Sequence, residues 1–185
     1  NLSTGVQEPT FVDIDCDGDL DMVGIDGGGL VYVENSNNGF VEVTGPENVF
    51  QGLDILPGDT PSFADVDQDG DLDMILEEAD GATRYFENTG SSHDAVFTQR
   101  FGAENPFTVL TEDGNSRRVT FVDIDNDGDL DGLSGSDSGD FRFYENTTLQ
   151  RFGEQIGNPF NFPNVGFASA PTYGDLDGDG DLDSV

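Results

Sequence analysis

Five aspartates within nine residues, Asp13, Asp15, Asp17, Asp19 and Asp21 of "DIDCDGDLD", place a carboxylate at every second position with a glycine after the third. The spacing returns at Asp65, Asp67, Asp69, Asp71 and Asp73, at Asp123, Asp125, Asp127, Asp129 and Asp131, and at Asp175, Asp177, Asp179, Asp181 and Asp183. If the chain curls round a point, the side chains at positions one, three and five converge and the glycine at six permits the sharp turn. Position seven can then offer its carbonyl, the leucine at eight can point back into the core, and the aspartate at nine can close the far side. Two bare carboxylates about 5 Å apart repel by roughly 3 kcal/mol at an effective dielectric near 20, so four unneutralised loops would work against folding. The pattern predicts all-oxygen cages for a hard cation rather than four solvated acidic turns.

The ligand types narrow the cation. The chain has one histidine, His93, and one cysteine, Cys16. Zinc, copper and iron thus lack their usual donors, and crowded, flexible carboxylates suit calcium better than strictly octahedral magnesium. About one calcium ion per loop, four in all, is the expectation. His93 lies in the polar stretch "GSSHDA" and reads as solvated. Cys16 occupies loop position four, where the other copies have Gln68, Asn126 and Gly178, and reads as a solvent-facing residue of no special role. An EF-hand is excluded on ligands and on context. It needs a glutamate at position twelve and helices on both sides, whereas position twelve is Gly24, Leu76 or Ser134 and the flanks read as strands.

Strands must hold these loops, and the sequence supplies them in a repeat. The first loop aspartates are 52, 58 and 52 residues apart. Each loop is entered from an alternating apolar and aromatic lead, "PTFVDID", "PSFADVD", "VTFVDID" or "PTYGDLD", which predicts a strand. A second strand follows the loop, then a turn and an aromatic strand ending in Glu34–Asn35, Glu87–Asn88 or Glu145–Asn146. Phe50, Phe107 and Phe160 stand about fifteen residues before the next loop. Four short antiparallel strands per unit match one blade of a β-propeller, so the predicted class is all-β, with approximate repeats at 7–58, 59–116, 117–168 and a partial one at 169–185. The recurrent aromatics Phe11, Phe63, Phe121 and Tyr173, with Tyr32, Tyr85 and Phe143, are expected to be core residues packing blade on blade.

Composition sets the outer bounds. The net charge is -33, yet 20 of the 39 acids sit in the four loops, so the acidity is mostly local. There is no lysine and no basic patch, which argues against nucleic acid as a partner. No apolar run approaches the roughly 20 residues a membrane span needs, and no charged-then-apolar leader opens the chain.

The loops, their "PTFVDID"-like lead and the "GLVYVEN" or "RYFENTG" strand together resemble the FG-GAP family of calcium-binding β-propeller repeats, which includes VCBS repeats and the propeller of integrin alpha subunits. The resemblance implies calcium ligands from the side chains at positions one, three, five and nine and the carbonyl at seven. That makes Asp19, Asp71, Asp129 and Asp181 carbonyl donors and the other sixteen loop aspartates side-chain donors. It also implies a full ring of about seven blades, completed by a longer chain or by self-association. The expected function is a secreted or cell-surface calcium-binding module, not an enzyme, serving adhesion, protein–protein interaction or extracellular assembly. A carbohydrate-binding lectin, or a non-catalytic domain of an extracellular polysaccharide-degrading enzyme, is the alternative. The expected partner is an extracellular protein or a glycan.

Overall fold

The computed structural model describes residues 5–27, 29–36, 39–78, 80–111, 116–125, 127–136, 141–146, 152–155, 173–174 and 183–184. These form an all-β structure of antiparallel sheets whose only helical turns are short 3-10 segments. No described helix is long and apolar enough to cross a membrane. The chain divides into two compact units, Asn1–Asn105 and Pro106–Val185.

The first unit holds two four-stranded meanders, β1 (Gln7–Val12), β2 (Asp21–Asp26), β3 (Gly29–Ser36) and β4 (Gly39–Val43), then β5 (Thr60–Ala64), β6 (Asp73–Glu77), β7 (Thr83–Asn88) and β8 (Phe97–Arg100). The second unit repeats the pattern with β9 (Ser116–Val122), β10 (Asp131–Ser136), β11 (Phe141–Glu145) and β12 (Gly153–Gln155), followed by the pair β13 (Tyr173–Gly174) and β14 (Asp183–Ser184). Registers are equivalent from sheet to sheet: Phe11 opposes Met22, Phe63 opposes Met74, and Phe121 opposes Gly132. Consecutive strands pair with neighbours through short connections, which is why one fifty-residue repeat suffices for one sheet.

Side-chain alternation decides what each face buries. In β6, Met74, Ile75 and Leu76 are all fully buried, so this inner strand is covered on both faces. Met74 and Leu76 belong to the core shared by the first two sheets, together with Val23, Ile25, Leu30 and Tyr32 from the first and Phe86 and Phe97 from the second. Phe50, on the segment joining the sheets, is the centre of that core. Its ring lies 6.0 Å from Tyr32 edge-on, 5.9 Å from Phe63 and 5.2 Å from Phe97 in a stacked arrangement. Arg84 ties the same segment to the second sheet, donating to the Asp54 carbonyl at 2.6 Å and to the buried carboxylate of Asp59 at 3.1 Å.

The aromatic expectation needs one correction. Tyr32, Tyr85 and Phe143 are buried, and Phe63 and Phe121 are half-buried against neighbouring rings. Phe11 instead is 58% exposed, because among the described residues no second sheet covers its face of the first. The side chain of Tyr173 lies outside the described residues.

Candidate metal centre

Each described acidic loop joins the first strand of a sheet to the second: Asp13 follows β1, Asp65 follows β5 and Asp123 follows β9. Strand alternation brings the chain to the sheet end, and the glycine at position six reverses it. Gly18, Gly70 and Gly128 have φ of 96°, 95° and 98°, which a side chain would strain. Position four is left-handed as well, at φ 55° for Cys16 and 62° for Gln68. Cys16 is exposed, as its sequence reading has it, but its backbone conformation is one that glycine or asparagine adopts more readily.

The turn gathers three carboxylates. One oxygen each from Asp13, Asp15 and Asp17 lie within 4.8 Å of one another, and the same holds for Asp65, Asp67 and Asp69 and for Asp123, Asp125 and Asp127. Backbone amides preorganise them. In the first loop the Asp17 amide donates to Asp13 Oδ1 at 3.1 Å and to Asp15 Oδ1 at 3.2 Å, and the Gly18 amide donates to Asp13 Oδ2 at 3.1 Å. The second and third loops repeat all three bonds within 0.1 Å. Each triad could therefore hold a metal ion through oxygen alone.

The aspartates at position nine do something else as well. Asp21, Asp73 and Asp131 begin the second strand of their sheets and are essentially fully buried. Asp73 Oδ2 accepts from the Val66 amide at 3.1 Å and the Tyr85 hydroxyl at 2.8 Å, while its Oδ1 accepts from the Asn88 amide at 2.8 Å. Asp21 is bound the same way by Ile14, Tyr32 and Asn35. Asp131 takes the amides of Ile124 and Asn146, and the residue at the tyrosine position there is Phe143, which has no hydroxyl to give. These carboxylates clamp the loop to the third strand, and they are not members of the 4.8 Å triads. Burial raises Asp73 and Asp131 to about 6, against the lowering effect of the amides. The same cause raises Asp21, and burial together with the facing carboxylate raises Tyr32 and Tyr85.

Position seven differs between loops. Asp19 is exposed, whereas Asp71 and Asp129 are buried and each keeps an Oδ1 with no hydrogen-bond partner. Burial, then repulsion from Asp69, raises Asp71 to about 6, and burial with repulsion from Asp127 raises Asp129. A buried carboxylate oxygen without a hydrogen-bond donor costs the fold stability unless something else compensates it. The donor set, hard oxygens on a flexible turn, is the set that calcium takes.

Two neighbours of the site stand differently from their sequence reading. The leucine at position eight does not point into the core: Leu20 is 56% exposed, and Leu72 and Leu130 are half-buried, because the adjacent position-nine aspartate takes the inward direction. His93, although exposed, is not merely solvated. Its Nδ1 donates to the carbonyl of Asp15 at 2.6 Å, tying the hairpin after β7 to the first loop. The tyrosine and asparagine partners of position nine belong to the site as well, and their mark in the sequence is the tyrosine three residues before the "EN" asparagine in the first two repeats. Asp175, Asp177, Asp179 and Asp181 lie outside the described residues. Asp183 is placed by its backbone alone, opposite Gly174.

Comparison with known proteins agrees with the geometry. A solved structure concerned with specific recognition of non-reducing terminal N-acetylglucosamine by an Agrocybe aegerita lectin is similar in fold, with a TM-score of 0.58 at 19% identity over 95% of this chain. The chain spans 45% of that lectin chain. No curated protein matches. The family of FG-GAP-like repeats matches at residues 65–134 and 123–185, the stretch that contains the second, third and fourth acidic loops. The four-stranded antiparallel sheets are blades of a β-propeller, and the chain belongs to the FG-GAP-like repeat family.

Proposed function

We propose that this chain is an extracellular or cell-surface binding module whose acidic loops take up calcium and thereby rigidify the propeller blades that carry them. The observation that carries this reading is the threefold triad, in which one carboxylate oxygen from each of positions one, three and five lies within 4.8 Å of the others. Positions one, three and five supply the side-chain ligands, and the carbonyl at seven and the aspartate at nine complete the cage as the family pattern implies. Calcium in each loop would offset the repulsion of its carboxylates and fix the end of one blade. Millimolar calcium outside cells suits such exposed, multi-acid sites.

The module is non-enzymatic in this reading and serves adhesion, assembly or another protein contact. Titration calorimetry of the chelator-stripped chain tests the calcium step. The expected result is uptake of about one ion per loop, and the absence of saturable binding at several millimolar calcium refutes it.

A second reading, a glycan-binding propeller, is favoured by the lectin of similar fold. A glycan array probed in calcium and again in chelator separates the two. Saturable binding to one class of terminal sugar supports the lectin, and a blank array beside retained calcium uptake supports the protein-binding module.

A further inference from the structure

Hydrogen bonds and backbone connect the first acidic loop to the second. The path starts at loop position three, where His93 Nδ1 meets the carbonyl oxygen of Asp15 at 2.6 Å. A carbonyl carries no proton, so the ring nitrogen is the donor. That carbonyl belongs to the peptide between Asp15, one of the three converging side chains, and Cys16, whose φ of 55° is unfavourable for a residue with a side chain. Holding this peptide also holds the Asp15 carboxylate in its triad, where its Oδ1 accepts from the Asp17 amide at 3.2 Å.

His93 stands on a tightly bonded hairpin. Ser91 and Asp94 exchange backbone hydrogen bonds at 3.2 Å, and the Asp94 amide also donates to Ser91 Oγ at 3.2 Å. The side chain of Asn88 organises the rest, its Oδ1 accepting from the amides of Gly90 and Val96 at 3.0 and 2.8 Å. A side chain at position 90 would strike the Asp94 carbonyl, so the turn is closed on itself. Asn88 in turn gives its own amide to Asp73 Oδ1 at 2.8 Å, and Asp73 is position nine of the second loop. Asp15 and Asp73 are thus joined through one exposed histidine and one buried asparagine.

We propose that His93 is a positioning residue for the first acidic loop and couples it to the second, so that filling either loop with calcium raises the affinity of the other. The inference rests on the calcium reading above. Ordering is the mechanism. Filling the first loop fixes Asp15 and, through the histidine bond, the hairpin that Asn88 organises. The second loop then has its clamp already in place and loses less conformational freedom when it fills. Linkage makes the reverse effect equal in size.

Hydrogen–deuterium exchange across a calcium titration of the chelator-stripped chain reads each loop separately. In the parent, residues 13–21 and 65–73 should become protected over one shared range of calcium concentration. In His93→Ala both midpoints should rise about fivefold or more, the lower end of ordinary coupling between sites, while that of residues 123–131 stays in place as the internal reference. His93 is exposed, so its removal leaves the core intact. His93→Asn keeps a side-chain N–H donor and should retain most of the coupling, a rescue that a general loss of stability would not allow. Asp13→Ala should raise the midpoint of residues 65–73 in the parent and leave it unmoved in the His93→Ala background. Midpoints of the first two loops that His93→Ala leaves unchanged, or that shift together with that of the third loop, overturn the proposal. No protection of any loop at several millimolar calcium defeats the calcium reading itself and the coupling with it.

Discussion

The hydroxyl of Tyr85 donates a 2.8 Å hydrogen bond to Oδ2 of Asp73, a fully buried carboxylate. Two residues on neighbouring strands thus lock the far end of the second acidic loop to the body of its sheet. A bond to a charged, buried acceptor contributes about 1.5–3 kcal/mol, so Tyr85→Phe should lower stability by about that much. The third sheet holds Phe143 at this place, and Phe143→Tyr should raise stability by about 1 kcal/mol through the added bond to Asp131. Denaturant unfolding of both variants checks the pair. Two unchanged midpoints would contradict the clamp.

The turn itself offers a second test. Cys16 holds φ at 55° and Gly18 at 96°. Cys16→Gly should be neutral or stabilising by up to about 1 kcal/mol, and Gly18→Ala should cost about 1–2 kcal/mol although open space surrounds the new methyl. The contrast is the informative part, since neither change touches a carboxylate. Thermal unfolding of the two variants measures it, and equal losses from both would deny the left-handed turn.

How much of this was legible in the sequence follows from where each interaction originates. Side-chain alternation and the Asp spacing are written in residue types, so the strands, the three described loops and the convergence of positions one, three and five could be read. The clamp on Asp21, Asp73 and Asp131 could not, because two of its donors in each sheet are backbone amides, which every residue type possesses. The bond from His93 to Asp15 spans 78 residues and depends on how one sheet meets the next. Phe11 and Phe63 have the same setting in the sequence, and what separates their exposure is whether a neighbouring sheet covers them among the described residues. Position seven shows the same limit: Asp19, Asp71 and Asp129 have equivalent settings in the sequence, yet one is exposed and two are buried.

The aromatic centre of the first unit should dominate its stability. Phe50 is 3% exposed and touches rings from both sheets. Phe50→Ala should cost about 3–5 kcal/mol, the usual range for a large aromatic removed from a core, whereas Phe101→Ala, at a side chain 69% exposed, should cost under about 0.5 kcal/mol. Chemical denaturation of the two variants provides the comparison. A Phe50 variant as stable as the Phe101 variant would remove the ring from the centre of the core.

Stability should run with pH in opposite directions with and without metal. Burial raises Asp73 and Asp131 from 3.8 to about 6, so the folded chain holds these protons more tightly than the unfolded chain does. Their stabilising contribution is complete below the unfolded pKa and is lost as pH rises through about 6, so the metal-free protein should melt at a lower temperature near pH 7 than near pH 5. With calcium the trend should reverse, because protons compete with the cation for the same carboxylates. Melting curves across this range, in chelator and in calcium, decide the point. A metal-free melting temperature that rises with pH would contradict it.

The most direct test of the account as a whole is the melting temperature of the chain in excess EDTA and in several millimolar calcium at neutral pH, with metal content measured in both. Each loop loaded to about a hundred times its dissociation constant adds roughly 2.7 kcal/mol, so the calcium form should melt many degrees higher and the gain should shrink on Asp13→Ala, Asp65→Ala or Asp123→Ala. Superimposable melting curves, with calcium shown to be absent from one sample and present in the other, would contradict the claim that these aspartates fold around a cation.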